Sequence, residues 1–115
     1  METAILGEGP ETVAEVIVEP VMGGVGVAVP PDEYLPEVES LCRKYGILLH
    51  VDEVINGFGR TGKMFAHQHY GVSPDIITAA LIRMALSGNL PAILSPAITT
   101  GILASIIPRP PLRNR

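Results

Sequence analysis

The feature that most constrains the fold is a strand–helix–strand pattern in the first half of the chain. Val13–Val18 is a largely β-branched run that suits a strand with both faces covered, and Ile47–Val51 is a second apolar run of strand length. The segment between them has helical spacing, and the short connections on both sides make a βαβ unit. Because such crossovers join parallel strands, the sequence predicts an α/β fold with a mostly parallel sheet.

The predicted helix runs from Asp32 to Tyr45. Asp32 is placed to cap its first turn, and Pro36 is tolerated because it lies within that turn. Gly46 is placed to end the helix in the left-handed conformation. The apolar residues that recur at helical spacing are Leu35, Val38, Leu41, Cys42 and Tyr45.

The rest of the chain reads as loops and short elements. Met22–Pro31 is rich in glycine and proline, which predicts a loop with room for a short extended piece. We expect a helical or irregular stretch at Phe65–Tyr70 and a third strand at Ile76–Ala79. Beyond Ala80 the hydrophobic pattern loses its period, and Pro108–Pro111 indicates a disordered end.

Composition narrows the class of protein. A chain of 115 residues with 47% hydrophobic and 17% charged residues is one domain or part of one, and not a highly charged disordered chain. A net charge of −4 does not suit a nucleic-acid-binding surface. The lone cysteine, Cys42, is expected to be a buried thiol in a reducing compartment. No secretory signal or membrane span is recognisable, so we expect a cytoplasmic protein.

Two acidic residues follow predicted parallel strands and are the first candidates for a binding site. Glu19 comes after the first strand, and Asp52 ends the second. Ligands of parallel α/β sheets bind beyond the carboxyl ends of the strands, where a cationic ring nitrogen would keep a carboxylate ionised. The alternative is a carboxylate that accepts hydrogen bonds from a loop or caps a helix.

Other candidates carry weaker signals. Gly57–Gly62 lacks the ending of a phosphate-binding P-loop and the spacing of a dinucleotide fingerprint. His67 and His69 stand without a nearby cysteine or third histidine, so no metal site is predicted. His50 is interpreted as a packed or hydrogen-bonded residue, with support of a neighbouring functional group as the alternative.

Longer motifs are more specific than these single residues. The stretch from Leu49 to Gly62, LHVDEVINGFGRTG, is followed by Asp75-Ile76-Ile77, and together they resemble the signature of class III pyridoxal-phosphate-dependent aminotransferases. The resemblance covers roughly residues 9 to 80. The upstream segments that are also similar to the family are Val16–Val21, Pro30–Leu35 and Tyr45–Leu49.

The resemblance implies the large domain of the fold-type-I aminotransferases and a homodimer. It further implies that Asp52 pairs with the pyridine nitrogen of pyridoxal phosphate, which makes the ring a better electron sink. Val54 would pack against one face of the ring, and Glu19 would lie near the cofactor or support its site. Arg60 and Asp75 are expected to be structural. The intact protein would transfer an amino group from an amine or amino acid to a keto acid.

The match fails at the residue that makes the family catalytic. In the family a lysine six residues after the equivalent of Asp75 forms the Schiff base, and here that position is Leu81. Realignment on the segment 87–91 moves the position near Arg83, which stays protonated and cannot serve either. The only lysines, Lys44 and Lys63, lie elsewhere.

These observations define two segments and two hypotheses. Residues 1–80 are expected to be the large-domain segment, and residues 81–115 a divergent tail that is frame-shifted or disordered. The first hypothesis is a fragment of a class III aminotransferase that is inactive by itself. The alternative is a non-catalytic remnant or interaction subunit that keeps the βαβ scaffold.

Overall fold

The computed structural model describes residues 1–80 and 102–106, and this part of the chain is an α/β unit. Its sheet has the strand order β1-β2-β3-β4. The first three strands are parallel, as predicted, and β4 runs antiparallel to β3. The elements are α1 Glu2–Glu8, a 3₁₀ turn Pro10–Thr12, β1 Glu15–Val18, α2 Tyr34–Tyr45, β2 Leu48–Asp52, a second 3₁₀ turn Ala66–His69, β3 Ile76–Ala80 and β4 Ile102–Ile106.

Helix α2 confirms the predicted helix with a different beginning. It starts at Tyr34, and Asp32 does not cap it: Glu33 is the N-cap residue, without a side-chain cap hydrogen bond. The chain already turns before the helix, where the Tyr34 N–H donates to the Pro31 carbonyl at 3.0 Å, so a backbone acceptor takes the place of a side chain. Gly46 ends the helix at φ 71° as predicted, and its N–H donates to the Cys42 carbonyl.

The core lies between α2 and one face of the sheet. Strand residues Val18, Leu49 and Val51 meet the buried face of the helix there. The predicted apolar positions Leu35, Val38 and Cys42 are all buried. Helix α1, which the sequence pattern does not predict, covers the same core with Ile5.

The opposite face of the sheet is exposed at β1 and β2. Ile17 is 56% exposed and Leu48 is 39% exposed, which corrects the expectation that the first strand has both faces covered. The reason is that α2 packs on one face only, while Ile17 pairs in register with His50 and points to the other. We call this surface, on which Ile17 and Leu48 are exposed, the open face.

An anchor of hydrogen bonds fixes the start of β3. Asp75 is 2% exposed; one carboxylate oxygen accepts from the Leu49 N–H at 2.8 Å and the other from the Arg43 guanidinium at 3.1 Å. Partial burial acts to lower the pKa of Arg43, but its hydrogen bonds to Glu39 and Asp75 outweigh that effect and raise it. The contacts of Asp75 agree with the structural role that the resemblance implies.

The expected loop and short elements are also present. Met22–Pro31 is a loop that contains a single antiparallel bridge between Met22 and Ala28, and Ala66–His69 is the expected helical turn. Of the predicted tail, residues 102–106 form β4. Leu81, Arg83 and Pro108–Pro111 lie outside the described residues, so the predictions for them, and the boundary after Ala80, stay predictions.

Candidate functional site

The two candidate carboxylates lie at the same edge of the sheet. Val18 and Val51 form the last register pair between β1 and β2; Glu19 directly follows the first and Asp52 the second. Asp52 pairs in turn with Thr78 on β3. Three polar residues therefore stand side by side: Glu19 and Asp52 at the carboxyl ends of β1 and β2, and Thr78 in the middle of β3. Ligands of parallel sheets bind beyond the carboxyl ends of the strands.

The Asp52 carboxylate is oriented by the backbone that follows it. Its Oδ1 accepts a hydrogen bond from the Val54 N–H at 2.9 Å. Both residues are half-buried, so the carboxylate is held at the surface of the edge and partly shielded from water. A carboxylate in this position is an acceptor for a cationic N–H group, with Val54 supplying an apolar contact beside it.

Glu19 makes a local hydrogen bond. Its Oε2 accepts from the Gly23 N–H at 3.1 Å, which closes the beginning of the loop that follows β1. A Cβ at Gly23 would lie 3.1 Å from the Ile55 side chain, so this loop passes close to the segment after Asp52. Glu19 thus shapes the wall of the edge, which corresponds to the loop-binding alternative considered for it.

The polar centre that sequence reasoning missed is Glu53. It is 0% exposed and accepts three hydrogen bonds: from the Ala66 N–H at 3.0 Å, from the His67 N–H at 2.8 Å and from His67 Nδ1 at 3.0 Å. Because a carboxylate only accepts, Nδ1 of His67 carries the proton in this contact. The sequence indicates this buried role only by the position of Glu53, an acidic residue directly after a predicted strand.

The glycine run Gly57–Gly62 is explained by the backbone conformation of the turn that it forms. The Gly57 N–H donates to the Glu53 carbonyl at 2.8 Å, and a Cβ on Gly57 would meet that same oxygen at 2.8 Å. Phe58 at φ 58° and Gly59 at φ 86° continue the turn in the left-handed region. Arg60 is exposed. The glycines are needed for this turn after Asp52, which explains the run without a phosphate ligand.

His50 bridges all three parallel strands on the open face. Its Nδ1 lies 3.2 Å from Glu15 Oε2 on β1, and its Nε2 lies 2.6 Å from Thr78 Oγ1 on β3. Successive side chains of a strand alternate between faces, so His50 and Asp52 share one face. His50 is therefore hydrogen-bonded, as expected, and lies directly beneath the candidate carboxylate.

Lys44 lies away from this edge. Lys44 lies in the last turn of α2, at the amino end of β2, and its ammonium contacts Glu2 at 2.7 Å. Five strand residues separate that end from the edge, a span of about 15 Å. Lys63 is exposed and donates to the Gln68 carbonyl at 2.9 Å.

Residues 1–80 and 102–106 contain neither a candidate metal site nor a candidate membrane-spanning helix. No group of three or more histidine, cysteine, aspartate and glutamate side chains there could hold a metal ion. None of the helices in the same ranges combines the length and apolar character needed to cross a membrane. Cys42 is a buried thiol outside any disulfide, as expected.

The family assignment follows from comparison with known proteins. The family model for class-III aminotransferases matches residues 2–107. The chain belongs to this family. Hypotaurine/taurine–pyruvate aminotransferase of Paracoccus denitrificans is 52% identical over 80 residues, which cover 70% of the chain. Vanillin aminotransferase of Capsicum chinense is 44% identical over 107 residues, which cover 90% of the chain, so the similarity continues past Ala80.

Solved structures of the aminotransferase family agree with the fold. An (S)-enantioselective omega-transaminase from Thermomicrobium roseum is 59% identical, with a TM-score of 0.67 over 69% of the chain. A transaminase from the marine bacterium Virgibacillus is 50% identical, also with a TM-score of 0.67, over 68% of the chain. These neighbours confirm the predicted part of a fold-type-I large domain.

Length sets this aminotransferase chain apart from its relatives. It spans 17% of the Paracoccus aminotransferase, 23% of the Capsicum enzyme and 18% of the Thermomicrobium structure. The family depends on pyridoxal phosphate, and the oriented Asp52 carboxylate suits the cationic ring nitrogen of that cofactor.

Proposed function

We propose that this chain forms the ring-nitrogen side of the pyridoxal phosphate site of a class III aminotransferase. The observation that supports the proposal is the half-buried Asp52 carboxylate, which the Val54 N–H orients at the carboxyl edge of a parallel sheet. In this assignment Asp52 accepts a hydrogen bond from the protonated ring nitrogen. Val54 packs against the ring, and Glu19 holds the loop at Gly23 beside it.

Each residue has a defined contribution to amino-group transfer. Bound pyridoxal phosphate supplies an electron sink for the charge that develops when an amino substrate loses its α proton. The carboxylate of Asp52 keeps the proton on the ring nitrogen, and each pKa unit of that stabilisation is worth about 1.4 kcal/mol. Val54 restricts water on one side of the ring, where a lower local dielectric strengthens the ion pair.

The chain is proposed to be inactive by itself. Leu81 occupies the position of the family's cofactor-bonding lysine and has no nucleophilic group. Lys44 is engaged with Glu2 at the far end of β2, and Lys63 donates a hydrogen bond to the Gln68 carbonyl in the second 3₁₀ turn. We propose that neither lysine bonds the cofactor or moves the substrate proton.

The wider assignment concerns the intact protein. We propose that its substrates are an amine or amino acid and a keto acid, that it works as a homodimer and that it is cytoplasmic. The lone buried thiol Cys42 agrees with a reducing compartment.

A second candidate function is an interaction subunit that pairs with a full-length relative. The open face favours it, since the 56% exposure of Ile17 leaves apolar surface for a partner. Mixing the chain with a full-length class III aminotransferase and measuring the mass of the complexes by light scattering separates this function from the first. Complexes no heavier than the separate proteins would eliminate it.

Cofactor binding by the purified chain tests the main proposal. We expect pyridoxal phosphate to bind reversibly and Asp52→Asn to weaken binding about tenfold, because the neutral amide loses one pKa unit or more of ring-nitrogen stabilisation. Asp32→Asn, an exposed loop carboxylate, is the matched control and should bind as wild type. Fluorescence titration of the cofactor gives the affinities.

Borohydride reduction followed by peptide mass mapping tests the claim of inactivity. We expect no stable adduct on either lysine. An adduct on Lys44 or Lys63 would overturn that claim, and equal cofactor affinities for wild type and Asp52→Asn would overturn the role of Asp52.

A further inference from the structure

We propose that His50 is a positioning residue whose proton sets the charge presented beneath Asp52, so that the ring-nitrogen side of the site weakens on acidification. This inference deepens the proposed function and rests on it. It starts from a bridge of three side chains, Glu15, His50 and Thr78, which we call the open-face relay.

The relay is built into the register of the sheet. Its imidazole is anchored at 3.2 Å to β1 and at 2.6 Å to β3, so both ring nitrogens are held. The His50 side chain is 15% exposed, although neighbouring apolar residues on the same face are far more open. An imidazole that is largely buried between two fixed partners has one orientation, and its charge therefore has one location.

The partners tolerate both protonation states of His50. Glu15 carries a carboxylate, which accepts the Nδ1 proton in either state. The Thr78 hydroxyl donates to Nε2 when the ring is neutral and accepts from it when the ring is charged. The Thr78 carbonyl also holds the Glu53 N–H at 2.7 Å, which fixes the strand position. Protonation thus changes the charge of the relay without dismantling it.

The charged groups around His50 are few and mostly acidic. Glu15 faces it from β1, and Asp52 lies two residues along β2 on the same face. Glu19 follows the last register pair of β1, at the level of Asp52. Strand β3 contributes the neutral Thr78, and the sequence of Ile102–Ile106 has no titratable side chain.

Protonation of His50 should weaken the attraction between Asp52 and a cation. With His50 neutral, Asp52 offers its full negative charge to a cationic ring nitrogen. With His50 protonated, a positive charge about 7 Å away on the same face competes for that carboxylate. A cation bound to the far side of the carboxylate lies about 3 Å farther, or about 10 Å from that charge, and at an effective dielectric between about 40 and 80 the repulsion lowers its affinity about two- to fourfold.

Nuclear magnetic resonance of the full 115-residue chain tests the coupling without cofactor. The side-chain ¹³Cγ signal of Asp52 is followed against pH, together with the ¹⁵N signals of the His50 ring. We expect the Asp52 signal to show a second inflection at the pH where the His50 ring titrates. His50→Gln should remove that inflection, and His69→Gln, at an exposed histidine of the second 3₁₀ turn, should keep it.

Two threonine variants separate positioning from simple packing. Thr78→Ser keeps the hydroxyl and should retain the second inflection. Thr78→Val keeps the shape but removes the hydroxyl, so the ring loses one anchor and the inflection should shrink. A single Asp52 inflection in wild type, or ¹⁵N signals that show no hydrogen bond at the His50 ring, would overturn the proposal.

Pyridoxal phosphate affinity gives the second measurement. Between about pH 8 and pH 5.5, where a histidine changes charge, the affinity of wild type should fall about two- to fourfold more than that of His50→Gln. Equal falls would overturn the inference. Absence of cofactor binding at every pH would contradict the proposed function. The Asp52 signal would still show whether the charge of His50 affects Asp52.

Discussion

Replacement of Glu53 by glutamine is the sharpest test of how the segment after β2 is held. The carboxylate is 0% exposed and accepts three hydrogen bonds of 2.8 to 3.0 Å from Ala66 and His67. Glutamine keeps one acceptor oxygen and turns the other into an NH₂ group, which faces at least one of the same N–H donors. One buried donor is left unpaired and two donors confront each other.

The cost follows from these contacts. A buried unpaired donor costs about 1–3 kcal/mol, so Glu53→Gln should lower the free energy of unfolding by about 2–4 kcal/mol. Glu53→Ala removes every acceptor and should lower it by about 3–5 kcal/mol, the range for a buried partner removed outright. Either change is a large part of the roughly 5–15 kcal/mol that stabilises a typical domain.

Urea unfolding followed by circular dichroism, with hydrogen exchange of single amides, measures the effect. The Ala66 and His67 amides should lose about 30-fold or more of their protection in Glu53→Gln, which corresponds to about 2 kcal/mol. Glu37→Gln, at an exposed site in the first turn of α2, should stay within about 0.5 kcal/mol of wild type. Unchanged protection of both amides, or their exposure already in wild type, would refute the reasoning.

Two further predictions concern the glycine loop and the N-terminal helix. Gly57→Ala places a methyl group 2.8 Å from the Glu53 carbonyl oxygen and should lower the free energy of unfolding by about 1–3 kcal/mol. The methyl group of Gly7→Ala in α1 meets nothing within 4 Å, so this variant should raise the free energy of unfolding by about 0.5–1 kcal/mol. Thermal melts of the two variants measure both changes. The hydrogen bond from Lys44, with a further one from Tyr45, lowers the pKa of Glu2 below its ordinary value of 4.5. The stabilisation of α1 by this contact is therefore complete above pH 4.5 and is lost as the pH falls through the lowered pKa of Glu2. Hydrogen exchange of the α1 amides should accelerate below pH 4.5 in wild type and not in a Glu2→Gln variant. Equal pH profiles of the two proteins would contradict this prediction.

The elements that the sequence predicts well are those with a local physical cause. Helix α2 has apolar residues at helical spacing and a terminating Gly46, and β2 and β3 are short apolar runs, so each signal lies within the element itself. Helix α1 was missed because its seven residues contain a glycine and depend on contacts from distant α2, where Tyr45 donates to Glu2 at 2.7 Å.

The residues of the candidate site were also predicted only where their contacts are local in the sequence. Asp52 at a strand end and its link to Val54 lie two residues apart, so pattern and motif place them. Glu53 and His67 are fourteen positions apart, and only the folded loop brings them together. The exposure of Ile17 was missed because an apolar run does not reveal how many layers cover a strand.

The position of β1 in the sheet has a consequence for the behaviour of the chain in solution. β1 is the outer strand, and the outward backbone groups of Glu15–Val18 have no strand partner within the described part of the chain. Such an edge accepts any extended segment, including the same strand of another copy. Its state of assembly should therefore depend on concentration, and a neighbour that occupies this edge should act as a solubilising partner.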